Sequence, residues 1–221
     1  MTGYISKKDM ANNRGDTMKT TIVDDYLWTV KYDNIDNQKL YNTCMMVEQT
    51  LLNVYPDGDD RTHGSFTARY HGAYNLFTFP CPELHKLHTN ISILVSDLLE
   101  DQYYIKCWVN IFKPNKNIDW HAHWPAELMA YHGFYCVNTE GEHGSYTDYR
   151  IPNNPEIRVP SEDGLLVIGK SAGDEHRSSV WQNTDKHRIT IAFDIIPVST
   201  LRTRNDFYGL VMHNYIPLPK V

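Results

Sequence analysis

The chain has 221 residues, 41% of them hydrophobic and 12% aromatic, enough apolar material for a packed core, so a disordered chain is excluded. The net charge is −6 and no run of Lys or Arg exceeds two residues, which argues against a basic nucleic-acid-binding surface. The N-terminal stretch MTGYISKKDMANNRGDTMK lacks the apolar core of a signal peptide, and no window approaches the ~18 apolar residues of a membrane span, so a cytoplasmic protein without a membrane partner is expected.

In chain order, residues 1–20 read as a flexible polar arm and 21–100 as a supporting layer. Tyr26 to Tyr32 alternates like a strand. From Asn37 to Val54, Leu40, Cys44, Val47, Leu51 and Val54 recur at steps of three and four. That spacing predicts a helix, capped by Asp36 or Asn37 and stopped at Pro56-Asp57-Gly58. Residues 57–80 are rich in Gly, Asp and Thr and predict a long loop, with a short strand around Tyr74 to Phe79. A second helix is predicted from Pro82 to about Glu100, its stripe made by Leu84, Leu87, Ile91, Leu94, Val95 and Leu98.

From Gln102 onward the texture changes to short strand-like runs: 102–112, 119–124, 129–138, 145–151, 156–159, 164–169, 176–181 and 187–196. Many short strands at this spacing predict a sandwich, barrel or jelly roll, flanked by the two N-terminal helices. All of 1–221 is expected to form a single domain, with 101–197 as its β-core and 198–221 as a C-terminal tail. Cys44, Cys81, Cys107 and Cys136 have no CxxC spacing and are expected to be reduced and structural.

The chemistry centres on histidine. His121 and His123 stand in WHAHW. On a strand, residues i and i+2 share a face, so both imidazoles can converge on one point. Neutral imidazole is a ligand for iron, zinc and copper, and His176 in GDEHRS is the candidate third ligand. Taken alone, an HxH on a strand is more often two exposed or partly satisfied histidines than a metal site. His132 and His143 rank lower, as do His63, His71, His85, His88, His187 and His213. No GxSxG, P-loop, Rossmann fingerprint or HExxH occurs, which removes the hydrolase, NTPase, dehydrogenase and zincin classes.

The setting of the histidines resembles a known family. WVNIFKPNKNIDWHAHWPAELMAYHGFYCV, Trp108 to Val137, looks like the metal-binding half of prolyl-hydroxylase-like Fe(II)/2-oxoglutarate-dependent oxygenases of phage and marine bacterial type. There, a strand ending in W-x-N, an H-x-H and a Gly-apolar-Tyr strand follow one another. DGLLVIGKSAGDEHRSSVWQNTDKHRITIAFDI is similar to the family's closing half, where a Gly-led apolar strand leads to a distal His and an R-x-[ST] strand. The resemblance covers roughly residues 102–197, and over the first hundred residues it rests on general layout.

This resemblance implies a mainly β protein with a double-stranded β-helix (jelly-roll) core and two packing helices in the N-terminal half. It implies Fe(II) as the metal and 2-oxoglutarate as cosubstrate, with an unidentified substrate hydroxylated and succinate and CO2 released. His121 and His176 would be iron ligands, and His123 stands where most of the superfamily has Asp or Glu. Asp119 or Glu127 could supply the missing carboxylate; otherwise the site has three histidines. Arg188 matches the arginine that holds the distal carboxylate of 2-oxoglutarate, a guanidinium fork on a carboxylate. Thr190 would add a hydroxyl, and Asn110 and Tyr135 would line the pocket. Tyr135-Cys136 replaces a Tyr-Tyr pair of related prolyl hydroxylases. Two other readings stay open: a non-catalytic jelly-roll binding or viral structural module, and a three-histidine dioxygenase that uses no 2-oxoglutarate. The substrate is a small molecule or a peptidyl group, the helices leave a homodimer open, and a phage-encoded chain would work in the host cytoplasm.

Overall fold

Two ten-residue strands, β3 (Tyr103–Phe112) and β9 (Arg188–Pro197), pair antiparallel along their whole length, from Tyr103 opposite Pro197 to Phe112 opposite Arg188. They are the spine of a computed structural model that describes residues 19–23, 25–56, 64–98, 101–139, 144–183, 185–199 and 214–220. Around them lie β1 (Lys19–Val23), β2 (Leu27–Lys31), β4 (Tyr131–Asn138), β7 (Leu165–Lys170) and β10 (Ile216–Leu218). Together these form a seven-stranded antiparallel sheet in the order β1-β2-β7-β4-β9-β3-β10. A second antiparallel sheet contains β5 (Tyr146–Arg150), β6 (Ile157–Pro160) and β8 (Glu175–Ser178), in the order β6-β5-β8. The described protein is thus mainly β, with helices added on one side.

The helices are α1 (Asn37–Val54), α2 (Phe66–Arg69) and α3 (Pro82–Leu98). Asp36 caps α1 by accepting from the Lys39 backbone N–H at 3.1 Å. Helix α1 ends at Tyr55, just before Pro56. Pro82 opens α3, where its missing N–H costs no helical bond. Glu83 in that first turn accepts from the Asp36 N–H at 2.9 Å and so ties the starts of the two long helices together. Leu40, Cys44, Val47 and Leu51 of α1, and Leu84, Leu87, Ile91, Leu94 and Val95 of α3, are buried in one apolar cluster with the large sheet. That cluster also takes in Tyr149 and Val159 of the small sheet. All four cysteines are free and buried. No described helix is long and apolar enough to cross a membrane.

Strand alternation sorts the large sheet into two faces. Ile105, Cys107, Val109 and Ile111 of β3, with Ile189, Ile191, Phe193 and Ile195 of β9, belong to the helix-backed core. The residues between them, Lys106, Trp108, Asn110 and Phe112 with Arg188, Thr190, Ala192 and Asp194, line a cavity. Gly133 of β4 is needed for close packing. A Cβ there would come within 2.3 Å of the Val167 carbonyl oxygen and 2.5 Å of Phe193 Cζ.

Several expectations are corrected. Residues 119–124 are not a strand: only His121 makes a ladder contact, an isolated bridge to His176. Pro114 and Pro125 flank this segment, Asn115 has left-handed backbone (φ 64°), and the Ser178 hydroxyl accepts from the Ile118 N–H at 2.8 Å. The chain therefore follows β8 without forming a regular ladder. The stretch around Tyr74 to Phe79 contains a 3-10 turn at Leu76–Thr78 in place of a strand, because the Asn75 side chain accepts from the Phe77 N–H. Val54 is 62% exposed and leaves the α1 stripe. Lys19 and Thr20 belong to β1, and the tail contributes β10, paired to β3. The rest of the expected N-terminal arm lies outside the described residues.

Candidate metal centre

His121, His123, His132 and His176 come from three separate parts of the chain and meet at the cavity between the two sheets. His176 is held in β8, and the two backbone bonds of the His121–His176 bridge (3.1 and 3.0 Å) fasten His121 beside it. Their ring centroids are 4.3 Å apart. His123 lies 5.4 Å from His121 and 5.1 Å from His176. One ligand atom each from His121, His123 and His176 all fall within 4.8 Å of one another, so the three can hold a metal ion. His132 of β4 stacks on His176 at 4.7 Å, the planes 3° apart, and His132, Asp174 and His176 form a second such group.

Hydrogen bonds orient the rings. His121 Nδ1 lies 2.8 Å from the Asp119 carbonyl, which can only accept, so Nδ1 carries the proton and Nε2 keeps its lone pair. His123 Nδ1 donates to Asp194 Oδ1 at 2.6 Å and is turned the same way. His132 Nε2 bonds Asp174 Oδ2 at 2.8 Å. The buried Nδ1 atoms of His132 and His176 have no protein partner. A carbonyl or carboxylate behind an imidazole is the arrangement that orients metal-binding histidines.

Electrostatics favours the neutral form of His121 and His176. Burial, reinforced by the neighbouring His123, pulls the His121 imidazole down to about 4. Burial also holds His176 well below the usual histidine range. At neutral pH both present lone pairs. At His123, burial disfavours the charged form, but the Asp194 charge and hydrogen bond outweigh it and raise the pKa. Asp194 is correspondingly low, because His123 overcomes the burial that would raise it. The donor set, three imidazoles of which His121 and His176 are held neutral, with two orphaned imidazole atoms, fits a divalent transition metal such as iron or zinc.

The cavity has a volume of about 800 Å³. Arg188 is 1% exposed at one end of it. Its Nη1 reaches the Ser179 carbonyl at 3.5 Å and its Nη2 the Ser161 hydroxyl at 3.3 Å, while Nε has no partner. The guanidinium lies over the Phe112 ring, and among the described residues no carboxylate pairs with it. Burial lowers its pKa to about 10, still charged at neutral pH. Asn110 Nδ2 donates to the Thr190 hydroxyl at 3.4 Å, and Asn110 Oδ1 is buried without a partner.

The structure therefore brings His121, His123, His176, Arg188, Thr190 and Asn110 to one cavity. Tyr135 is the correction. It projects from the opposite face of β4 and donates to Asn37 Oδ1 of α1 at 2.8 Å, while His132 and Phe134 point to the cavity side. Asp119 and Glu127 are exposed and belong to neither group of converging ligand atoms. The carboxylates that touch the histidines are Asp194 and Asp174, which the sequence reading did not single out. Asp194 had a visible signal: in RITIAFDIIP it falls on the same alternation as Arg188 and Thr190. Asp174 stands two residues before His176. Lys106, a lone cation in YYIKCWVNIF, shares the alternation of Asn110.

No family model matches the chain, and no curated protein matches it. Among solved structures, it is similar to a 2OG-Fe(II) oxygenase family oxidoreductase from Burkholderia pseudomallei (13% identity, 44% of this chain and 47% of that one, TM-score 0.39). It is also similar to a Pseudomonas putida prolyl-4-hydroxylase (13% identity, 42% and 51%, TM-score 0.36). A third likeness is to a non-heme monooxygenase, the ThoJ–Ni complex (16% identity, 74% and 70%, TM-score 0.48). The chain matches about half the length of the first two. At such identities a likeness carries no activity across, so a functional reading rests on the residues of the site.

Proposed function

We propose that the chain is an Fe(II)- and 2-oxoglutarate-dependent oxygenase, prolyl-hydroxylase-like, with a jelly-roll core forming one domain. One observation carries this reading. Three converging imidazoles share a cavity with a fully buried guanidinium that has no acidic partner among the described residues. An unpaired buried cation costs several kcal/mol, on the order estimated for uncompensated buried charges, and a bound carboxylate would offset that cost.

In this reading His121, His123 and His176 hold the iron, and His123 takes the position of the carboxylate usual in the superfamily. Arg188 grips the distal carboxylate of 2-oxoglutarate through parallel charge-assisted bonds, assisted by the Thr190 hydroxyl, which accepts from Asn110 Nδ2 and keeps its own hydrogen free to donate. Iron in this site supplies oxygen-activating chemistry, in which 2-oxoglutarate goes to succinate and CO2 as an unidentified substrate is hydroxylated. The chain's own contribution is orientation and exclusion of water. Asp194 and the Asp119 carbonyl keep the Nδ1 protons of His123 and His121 turned away from the centre, leaving Nε2 free on each ring. Phe112 forms an apolar wall against the guanidinium, where it strengthens its pull on an anion.

Anaerobic titration with Fe(II) and 2-oxoglutarate tests this. A weak visible charge-transfer band is expected only when both are present, and Arg188→Ala should weaken 2-oxoglutarate binding on the order of 100-fold, as expected for loss of a bidentate charged pair. Bound iron without the band would point to a three-histidine dioxygenase, and no bound iron to a non-catalytic module.

A further inference from the structure

A second cation lines the cavity, at the end away from Arg188. Lys106 is only 3% exposed, yet its side chain lines the cavity, on the same alternation of β3 as Trp108, Asn110 and Phe112. Asp194 stands directly opposite it on β9. Those two form no ion pair: the Asp194 carboxylate is committed to His123, and the Lys106 ammonium makes no hydrogen bond or ion pair among the described residues. What lies beneath it is the Tyr215 ring, 5.8 Å from Nζ, and the Tyr215 hydroxyl is itself buried without a partner. Aromatic surface continues from there: Trp108 packs against His71 at 5.4 Å and His123 at 6.0 Å, so it bridges this end to the histidine cluster.

The Tyr215 hydroxyl is a buried donor lacking an acceptor, and the Lys106 ammonium over its ring adds a charged donor at the cavity wall. The acceptor that suits both is a carboxylate, with one oxygen for the ammonium and one for the hydroxyl. We propose that this end of the cavity is the substrate site, and that it takes a small organic carboxylate whose anionic group is held by Lys106 and Tyr215 while an apolar or aromatic body lies along Trp108 toward the histidines. That the bound carboxylate is the molecule oxidised rests on the oxygenase reading; that it binds at Lys106 does not. The substrate class this selects is a free acid, because a single compact cation between aromatic walls recognises one anionic group on an apolar body.

The test uses the full chain, loaded anaerobically with Fe(II) and saturating 2-oxoglutarate so that the Arg188 end is filled. Acetate, benzoate and phenylacetate are then titrated by calorimetry, each against its neutral amide. At least one acid is expected to bind at least about tenfold more tightly than its amide, the preference of a charge-assisted pair. Lys106→Met should erase that preference, Lys106→Arg should keep most of it, and Tyr215→Phe should reduce it; thermal melting confirms that each variant is folded. The proposal is overturned if no acid outbinds its amide, if Lys106→Met leaves the preference intact, or if 2-oxoglutarate displaces the acid, which would put it at Arg188. Failure of the oxygenase reading would look different: 2-oxoglutarate would not bind, while the acid still bound in a Lys106-dependent way.

Discussion

The two faces of strand β9 run side by side through the same protein and carry opposite kinds of residue. Ile189, Ile191, Phe193 and Ile195 face the helix-backed core, and every one is fully buried. Arg188, Thr190 and Asp194, one residue out of step with them, are nearly as buried but face the cavity. On the first face burial is the whole purpose, since apolar surface leaves water and packs. On the second, burial alone would be destabilising, because charged and hydroxyl groups lose their hydration. Asp194 recovers it through His123, and Arg188 recovers little. A strand that accepts this cost on one face only is holding groups for something other than stability.

The contrast can be broken most forcefully on the apolar face. Phe193→Ala leaves a cavity beneath Gly133 and should cost about 3–5 kcal/mol in urea unfolding, with little change in the slope of the transition. A cost below about 1 kcal/mol would show that this face collapses easily and that the two faces differ less than their composition suggests. Next in size is Asp194→Ala. It should lower Fe(II) affinity by about 10–100-fold, the range found for groups that orient metal-bound histidines, as read by anaerobic calorimetry. Unaltered affinity would mean that His123 does not depend on Asp194, or is not a ligand.

The smallest effect is the one of unusual sign. Arg188→Met replaces an unpaired buried cation with an apolar chain of similar length and should stabilise the ligand-free protein by about 1 kcal/mol. The advantage should shrink when 2-oxoglutarate is added, since only the parent chain gains from the ligand. Destabilisation in the ligand-free state would show that the bonds to Ser161 and Ser179 satisfy the guanidinium after all.

Much of this was legible along the chain. Helices α1 and α3 were readable because each is long, has an apolar face at helical spacing and carries a recognisable start. The eight expected strands that formed, β2 through β9, were readable from short apolar runs between turns, whereas the one expected at 119–124 did not form. The short edge strands β1 and β10 were not, since KTTIV and a Pro-containing IPL carry too little alternation to stand out. Tyr135 illustrates a different loss. Strand β4 is buried on both sides, so its sequence shows no contrast between faces, and only the packing of α1 against it reveals that Tyr135 points away from the cavity.

By itself, the sequence determined the periods of the elements and the residue types available for chemistry, because both are local: a helix or strand repeat lies within a few neighbours, and an imidazole or guanidinium is what it is anywhere. Only the tertiary structure decided the partnerships. His123 with Asp194, His132 with Asp174, and Lys106 across from Asp194 but unpaired are contacts between distant segments. They depend on which strands become neighbours, in which register, and which face a helix covers. A one-residue slip of β9 would send Arg188 and Asp194 into the helix-backed core, so the register of β9 against β3 and β4 is what turns a set of scattered polar residues into a site.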